Sequence, residues 1–149
     1  MAGFNRSVLI QKPLEEVFDF ATDVQNVPLF LPNVTKIEVL TEGGVKKGAR
    51  IKETRAFKGK ERAAVVEITE HERPRLHAAS AGMMGLRATY TFHFVSEGSA
   101  TRVNLDADVT GNFLWWLFLG MMSKMMEKED GEYLNRLKDA MEKPRAAAS

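Results

Sequence analysis

The sequence predicts an α+β fold: a curved antiparallel sheet of six to seven strands wrapped around a long C-terminal helix, with two short helices after the first strand. Three observations predict it. The stretch SVLIQKPLEEVFDFATDVQNVPLFLPNVTKIEVL, from Ser7 to Leu40, reads as a strand, a Pro-started amphipathic helix, a short apolar turn and a second strand. Several alternating segments follow at hairpin spacing, which favours antiparallel pairing. The chain then closes in one Met- and Trp-rich helical segment. A sheet gripping a helix can leave a cavity between the two, so small-molecule binding leads among the function classes.

The elements follow in order. Phe4–Ile10 forms the first strand. Lys12 precedes a proline and favours extended backbone, and Pro13 suits a helix start. Glu15 and Glu16 lie near the positive end of the helix dipole. Leu14, Val17, Phe18 and Ala21 form an apolar face at i, i+3, i+4, i+7, and the helix ends near Thr22–Asp23. Pro28 and Pro32 bracket a short apolar turn. Strand two spans Val34–Thr41, strand three Arg50–Phe57, strand four Arg62–Glu70, strand five Arg75–Ala81 and strand six Leu86–Val95. Lys58–Gly59–Lys60, Pro74, Gly82–Gly85 and Glu97–Gly98–Ser99 supply the turns. In strand six, Ala88, Tyr90, Phe92 and Phe94 share a face. In strand seven, Val103, Leu105, Ala107 and Val109 point one way and Arg102, Asn104, Asp106, Asp108 and Thr110 the other, as in a sheet with one wet face. Asn112 is a fair N-cap for a helix carrying Leu114, Phe118, Met121, Met122, Met125, Tyr133, Leu134, Leu137 and Met141. Gly120 and Gly131 weaken it, each by about 1 kcal/mol against Ala, and Pro144 stops it. The reading is one domain, 1–143, with a tail at 144–149.

Composition narrows the function classes. The 149 residues carry 21 basic and 20 acidic side chains, net +1, well mixed along the chain. No nucleic-acid partner is expected from such a surface. With no cysteine, disulfides, thiolate metal sites and cysteine nucleophiles are excluded. The N-terminus lacks the long apolar core of a signal peptide, so a cytoplasmic location is expected. The apolar run Phe113–Met122 is about half of what a membrane span needs; peripheral contact with a bilayer stays open.

Several side chains could carry chemistry. Glu53 and Arg55 share a strand face with Ile51 and Phe57, about 7 Å apart at normal rise. Either that face is exposed, or it lines the cavity with its charges paired, hydrated or ligand-bound, since a buried unpaired charge is costly. In the interior arrangement Arg55 would hold a carboxylate or phenolate, and Glu53 would orient it or act as a base. Tyr90, beside Phe92, is either a core tyrosine with its hydroxyl satisfied locally or a donor to a ligand oxygen. Trp115, Phe118, Met122 and Met125 either pack the core or line an adaptable cavity, as flexible methionines do. The tryptophans could also sit at the cavity mouth or touch a membrane. Met83 and Met84, between glycines, could form a mobile lid. His71 falls in a turn, while His77 and His93 read as outer-face neighbours on strands. None has metal-ligand spacing, so neither a metal nor a cofactor is expected. Asp106 and Asp108 read as solvated.

The strand followed by PLEEVFDFATDVQNVPLFLPNV, then GARIKE, VEITEHERPRL and the terminal LNRLKDAMEK, resembles in order and spacing the SRPBCC superfamily, also called START-like or helix-grip proteins. The similarity is to the polyketide cyclase/dehydrase-like branch and covers nearly the whole chain. It implies a helix-grip fold with a deep apolar cavity between the sheet and the C-terminal helix. It implies no particular activity, because catalytic residues differ between branches. The leading expectation is a non-enzymatic binder or carrier of a lipid, isoprenoid quinone or polyketide-like molecule. One alternative is a polyketide cyclase/aromatase or dehydratase-type enzyme using the same cavity; another is a protein- or membrane-interaction module. The ligand-binding candidates are Glu53, Arg55, Phe57, Tyr90, Phe92, Trp115, Phe118, Met122 and Met125.

Overall fold

In a computed structural model, residues 2–83 and 85–143 are described, with backbone alone at Ala2, Phe57 and Met83. The expected tail at 144–149, the Pro144 stop and the Met84 part of the lid lie outside the described residues. The chain runs β1 (Ala2–Ile10), α1 (Leu14–Thr22), a 3-10 turn (Val24–Asn26), α2 (Val27–Phe30), β2 (Val34–Val39), β3 (Arg50–Phe57), β4 (Lys60–Glu72), β5 (Leu76–Met83), β6 (Leu86–Glu97) and β7 (Ala100–Gly111). A second 3-10 turn (Trp116–Phe118), α3 (Leu119–Asp130) and α4 (Tyr133–Glu142) complete it.

The seven strands form one open, curved sheet in the order β1-β7-β6-β5-β4-β3-β2, antiparallel throughout. Strands β2 to β7 are a meander. Only β1 lies away from its sequence neighbour, so α1 and α2 must carry the chain from one sheet edge to the other. Pro13 takes extended backbone just before α1, and Glu15 and Glu16 occupy the first turn. Val17 and Phe18 are buried, and the Thr22 hydroxyl donates to the Phe18 carbonyl oxygen at 2.8 Å. The Asp23 carboxylate then accepts from the Gln25 N–H at 3.0 Å and starts the 3-10 turn. The apolar turn between the prolines is a single helical turn, α2, that buries Phe30. Positive φ at both Lys58 (51°) and Gly59 (80°) makes the β3–β4 connection a primed hairpin turn.

Alternation decides which face is buried. Val103, Leu105, Ala107 and Val109 of β7 are buried, as the sequence pattern demands. The main core sets Val17, Phe18, Phe30 and Leu31 against Phe92, Phe94, Val103 and Leu105, with Leu134 and Leu137 of α4 closing over them. A smaller cluster of Ala49, Ile51 and Ile68 sits under Val24 and Ala79.

Two details differ from the sequence reading, and a third, the break at Gly131, falls at one of the two weak points that reading marked. Asn112 does not open the long helix: its side chain accepts from the Leu114 N–H at 3.1 Å, which holds a turn ahead of the 3-10 segment, and α3 starts at Leu119. The helical segment is divided at Gly131, where a Cβ would fall 2.4 Å from the Glu127 carbonyl oxygen. His71 is not in a turn. A register shift between Ile68 and Glu70 lets β4 continue to Glu72, and His71 pairs across to His77. His77, opposite Phe92, is on the inner face and buried. Only His93 is outside.

Candidate functional site: a charged network between sheet and helix

Residues on three elements converge where α3 ends. On β3, Glu53 lies opposite Ile37 and Ala64, and Arg55 lies two residues further along the same inward face. On β6, Tyr90 belongs to the face that carries Phe92 and Phe94. The helix contributes Asp130, only 4% exposed. Arg55 Nε donates to Glu53 Oε1 at 2.6 Å, and Arg55 Nη1 donates to Asp130 Oδ1 at 3.2 Å. The Tyr90 hydroxyl donates to Asp130 Oδ2 at 2.5 Å. Asp130 therefore ties β3, β6 and the helix together through its two oxygens. The structure places Glu53 and Arg55 on the inner face, partly buried and with their charges paired.

The surroundings are aromatic. Tyr133, one turn beyond Asp130, packs its ring 5.1 Å from Phe92 and 5.2 Å from Phe30. Phe4 meets Tyr90 edge-on at 6.3 Å, and the Arg6 guanidinium lies 5.3 Å from the Phe4 ring. Among the described residues no buried side-chain nitrogen or oxygen lacks a partner. That is the condition under which a buried polar network is tolerable.

The electrostatics follow from burial and charge. Burial pulls the Arg55 guanidinium down, but the Glu53 and Asp130 carboxylates outweigh it and hold the group charged, above its ordinary value. Burial pushes the Tyr90 phenol up, and the Asp130 carboxylate that accepts its proton pushes it further. Burial raises the Tyr133 phenol too, with Glu53 and Asp130 adding to it. Both phenols are thus donors that stay protonated at neutral pH. General acid–base work favours groups that titrate near the operating pH, and these two do not. Two carboxylates against one guanidinium also leave the network with excess negative charge, which weighs against Arg55 holding an anionic group.

The remaining candidates are placed as follows. Phe92 is buried in the aromatic wall. Trp115 and Met122 are half-buried, whereas Phe118 and Met125 are exposed. The Phe57 side chain lies outside the description. Among the described residues, hollows of about 770 Å³ and 480 Å³ are open. By strand parity both lie on the outer face of the sheet. The larger opens where the β4–β5 ladder stops at Glu67–Ser80 while both strands continue. Between the sheet and α4, Leu134 and Leu137 pack into the core.

Asp130 was missed by sequence reasoning. The signal was present: Leu119, Met122, Met126 and Asp130 share one helical stripe, so an acid closes an apolar row. Among the described residues no group of three or more His, Asp or Glu side chains is placed to hold a metal ion.

Known structures share this architecture. The chain superposes on Ara h 8.0201 with a TM-score of 0.74 at 13% identity, covering 91% of this chain and 93% of that one. It superposes on a START superfamily protein from Mycobacterium smegmatis with a TM-score of 0.69 at 16% identity, covering 93% of each. It matches part of the di-domain ARO/CYC protein BexL of the BE-7585A biosynthetic pathway, with a TM-score of 0.75 at 16% identity over 94% of this chain and 46% of that one. At these identities the likeness concerns the fold. No curated protein matches in sequence. The profile of the family described as polyketide cyclase / dehydrase and lipid transport matches residues 1–142, and the chain belongs to that family.

Proposed function

We propose that this protein binds a neutral apolar small molecule, such as a lipid, isoprenoid quinone or polyketide-like compound, between the inner face of the sheet and the α3 half of the C-terminal helix. One observation carries the reading: three charges and a tyrosine meet at a seam that apolar side chains could have closed. A buried ion pair is weak evidence for stability, because well-packed hydrophobic residues often do as well or better. Keeping charge there is explained if the group orients something. Arg55 keeps 28% of its side chain exposed and Glu53 keeps 17%, so a ligand can reach the network from the open side. Apolar contact would supply affinity, and these few polar groups would fix orientation.

Tyr90, Phe92, Trp115 and Met122 are the further contacts of this proposal, with Asp130 and Tyr133 added. Uptake requires α3 to swing on the Gly131 break, since the α4 half is anchored in the core. The protonated phenols and mutually engaged carboxylates favour a binder over an enzyme. The test is native mass spectrometry of gently purified protein, followed by organic extraction of any bound mass. A stoichiometric apolar adduct, displaced in Arg55→Met protein, is the expected result. A clean apo mass, with Trp fluorescence unchanged on adding a long-chain ubiquinone or fatty alcohol, would count against it.

A further inference from the structure

The chain from the end of β7 into α3 carries no charged residue from Thr110 to Ser123, yet much of it is exposed. Phe113 is 82% exposed, Leu114 74%, Trp116 58% and Leu117 70%. These side chains stand out from a turn and a 3-10 turn, so they form a protrusion and not a groove. On α3 the solvent-facing stripe continues the pattern with Met121, Lys124, Met125 and Lys128, at i, i+3, i+4 and i+7, all exposed. No acid stands in that stripe. Glu127 turns aside to pair with Arg6 at 2.5 Å, and Asp130 is buried in the network. Glu129 flanks the stripe, and exposed Glu132 follows Lys128 just past the end of α3.

We infer that this face docks on an anionic lipid bilayer, with the tips of Phe113–Leu117 entering the headgroup region and Lys124 and Lys128 at the phosphates. Tryptophan and bulky apolar side chains are favoured at that depth. An amphipathic surface segment binds through buried apolar area plus basic residues. Lysines whose stems lie along methionines keep their heads at the polar level. Among the described residues no helix is long and apolar enough to cross a membrane, so the contact is peripheral. A second copy of the chain is the poorer occupant. A two-fold contact sets the same patch against itself, which would bring the Lys124–Lys128 stripes together. The inference needs only this surface and stands apart from ligand binding inside the fold.

The experiment uses the full chain with vesicles of phosphatidylcholine alone and of phosphatidylcholine mixed with phosphatidylglycerol. The two tryptophans, Trp115 and Trp116, both lie in this segment, so Trp fluorescence reports on it, and co-sedimentation separates docking from ligand uptake beside Trp115. Expected are co-sedimentation with the anionic vesicles, weakening in high salt, and quenching by acyl-brominated lipid. Lys124→Gln with Lys128→Gln should weaken binding roughly fivefold per lysine, and Trp116→Ser with Leu117→Ser should abolish the quenching. Wild-type protein that neither sediments with nor is quenched by either vesicle overturns the inference, whatever the variants do. So does a dimer in sedimentation velocity that Trp116→Ser with Leu117→Ser dissolves, because that assigns the face to a second copy.

Discussion

Asp130 holds two hydrogen-bond partners from two different strands, and its value is best measured by removing them one at a time. Tyr90→Phe deletes a donor to a charged acceptor and keeps the ring against Phe4. Bonds of that kind contribute about 1.5–3 kcal/mol, so urea denaturation should show a loss in that range. Arg55→Met goes further: it leaves Glu53 and Asp130 facing each other without the guanidinium. Breaking a buried pair from one side costs about 3–5 kcal/mol. Arg55 is partly exposed, so the lower end of that range is expected. The two substitutions act on one carboxylate, and the double variant should depart from the sum of the singles. Additivity in that cycle would mean that the two contacts are independent. Residue identity had already pointed to Glu53, Arg55 and Tyr90, because charged or hydroxyl groups on faces shared with Ile51 or Phe92 are conspicuous. Asp130 was hidden by its setting. It lies in a charge-rich stretch, Lys124–Lys143, where an acid reads as solvated until helical phase puts it on the apolar stripe.

The elements were legible to the degree that their periodicity was clean. The alternation of β7 and the turn residues around β3 to β6 placed every strand. The boundaries moved where local geometry departed from the regular ladder. β4 is longer than its pattern suggested because a bulge after Ile68 resets the alternation, and that shift alone carries His71 from an expected turn to the inner face. The C-terminal segment shows the opposite limit. A stripe of Met and Trp at helical spacing says that a helix forms but not which side faces the sheet, and here Met121 and Met125 face solvent. The break at Gly131 is open to a test. Alanine would improve helix propensity by up to about 1 kcal/mol. Its Cβ, however, would fall 2.4 Å from a backbone oxygen, and relieving such a contact shifts main chain at a cost of about 1–3 kcal/mol. Gly131→Ala should therefore destabilise the protein and displace Asp130 from Tyr90. A stabilised variant, seen as a higher Tm, would show that the break is dispensable.

At the scale of the whole molecule the net charge of +1 is too small for general self-repulsion to govern stability near neutrality. The pH dependence should instead report the inner-face histidine pair. His71 Nδ1 and His77 Nδ1 lie 3.1 Å apart, with Phe18 and Phe92 against the rings. Burial, and then the neighbouring His71, lowers the pKa of His77 from 6.5 to about 4. Burial lowers that of His71 as well, partly offset by Asp19. In the unfolded chain both titrate near the ordinary histidine value, so below that pH the unfolded state binds protons that the folded state refuses. Stability is then fully present above about pH 6.5 and falls with pH down to about 4, His77 alone accounting for roughly 3 kcal/mol. The carboxylates of exposed Asp19 and half-buried Glu142, held low chiefly by hydrogen bonds from Arg73 and from Lys138, lose their contribution only at lower pH. They do not account for a change in this window. Urea denaturation across it should show the loss in the wild type and a flatter profile in His77→Phe, which fits an aromatic ring among Phe18, Phe92 and Phe94 and leaves half-exposed His71 to water. A profile equally steep in the variant would place the acid sensitivity elsewhere.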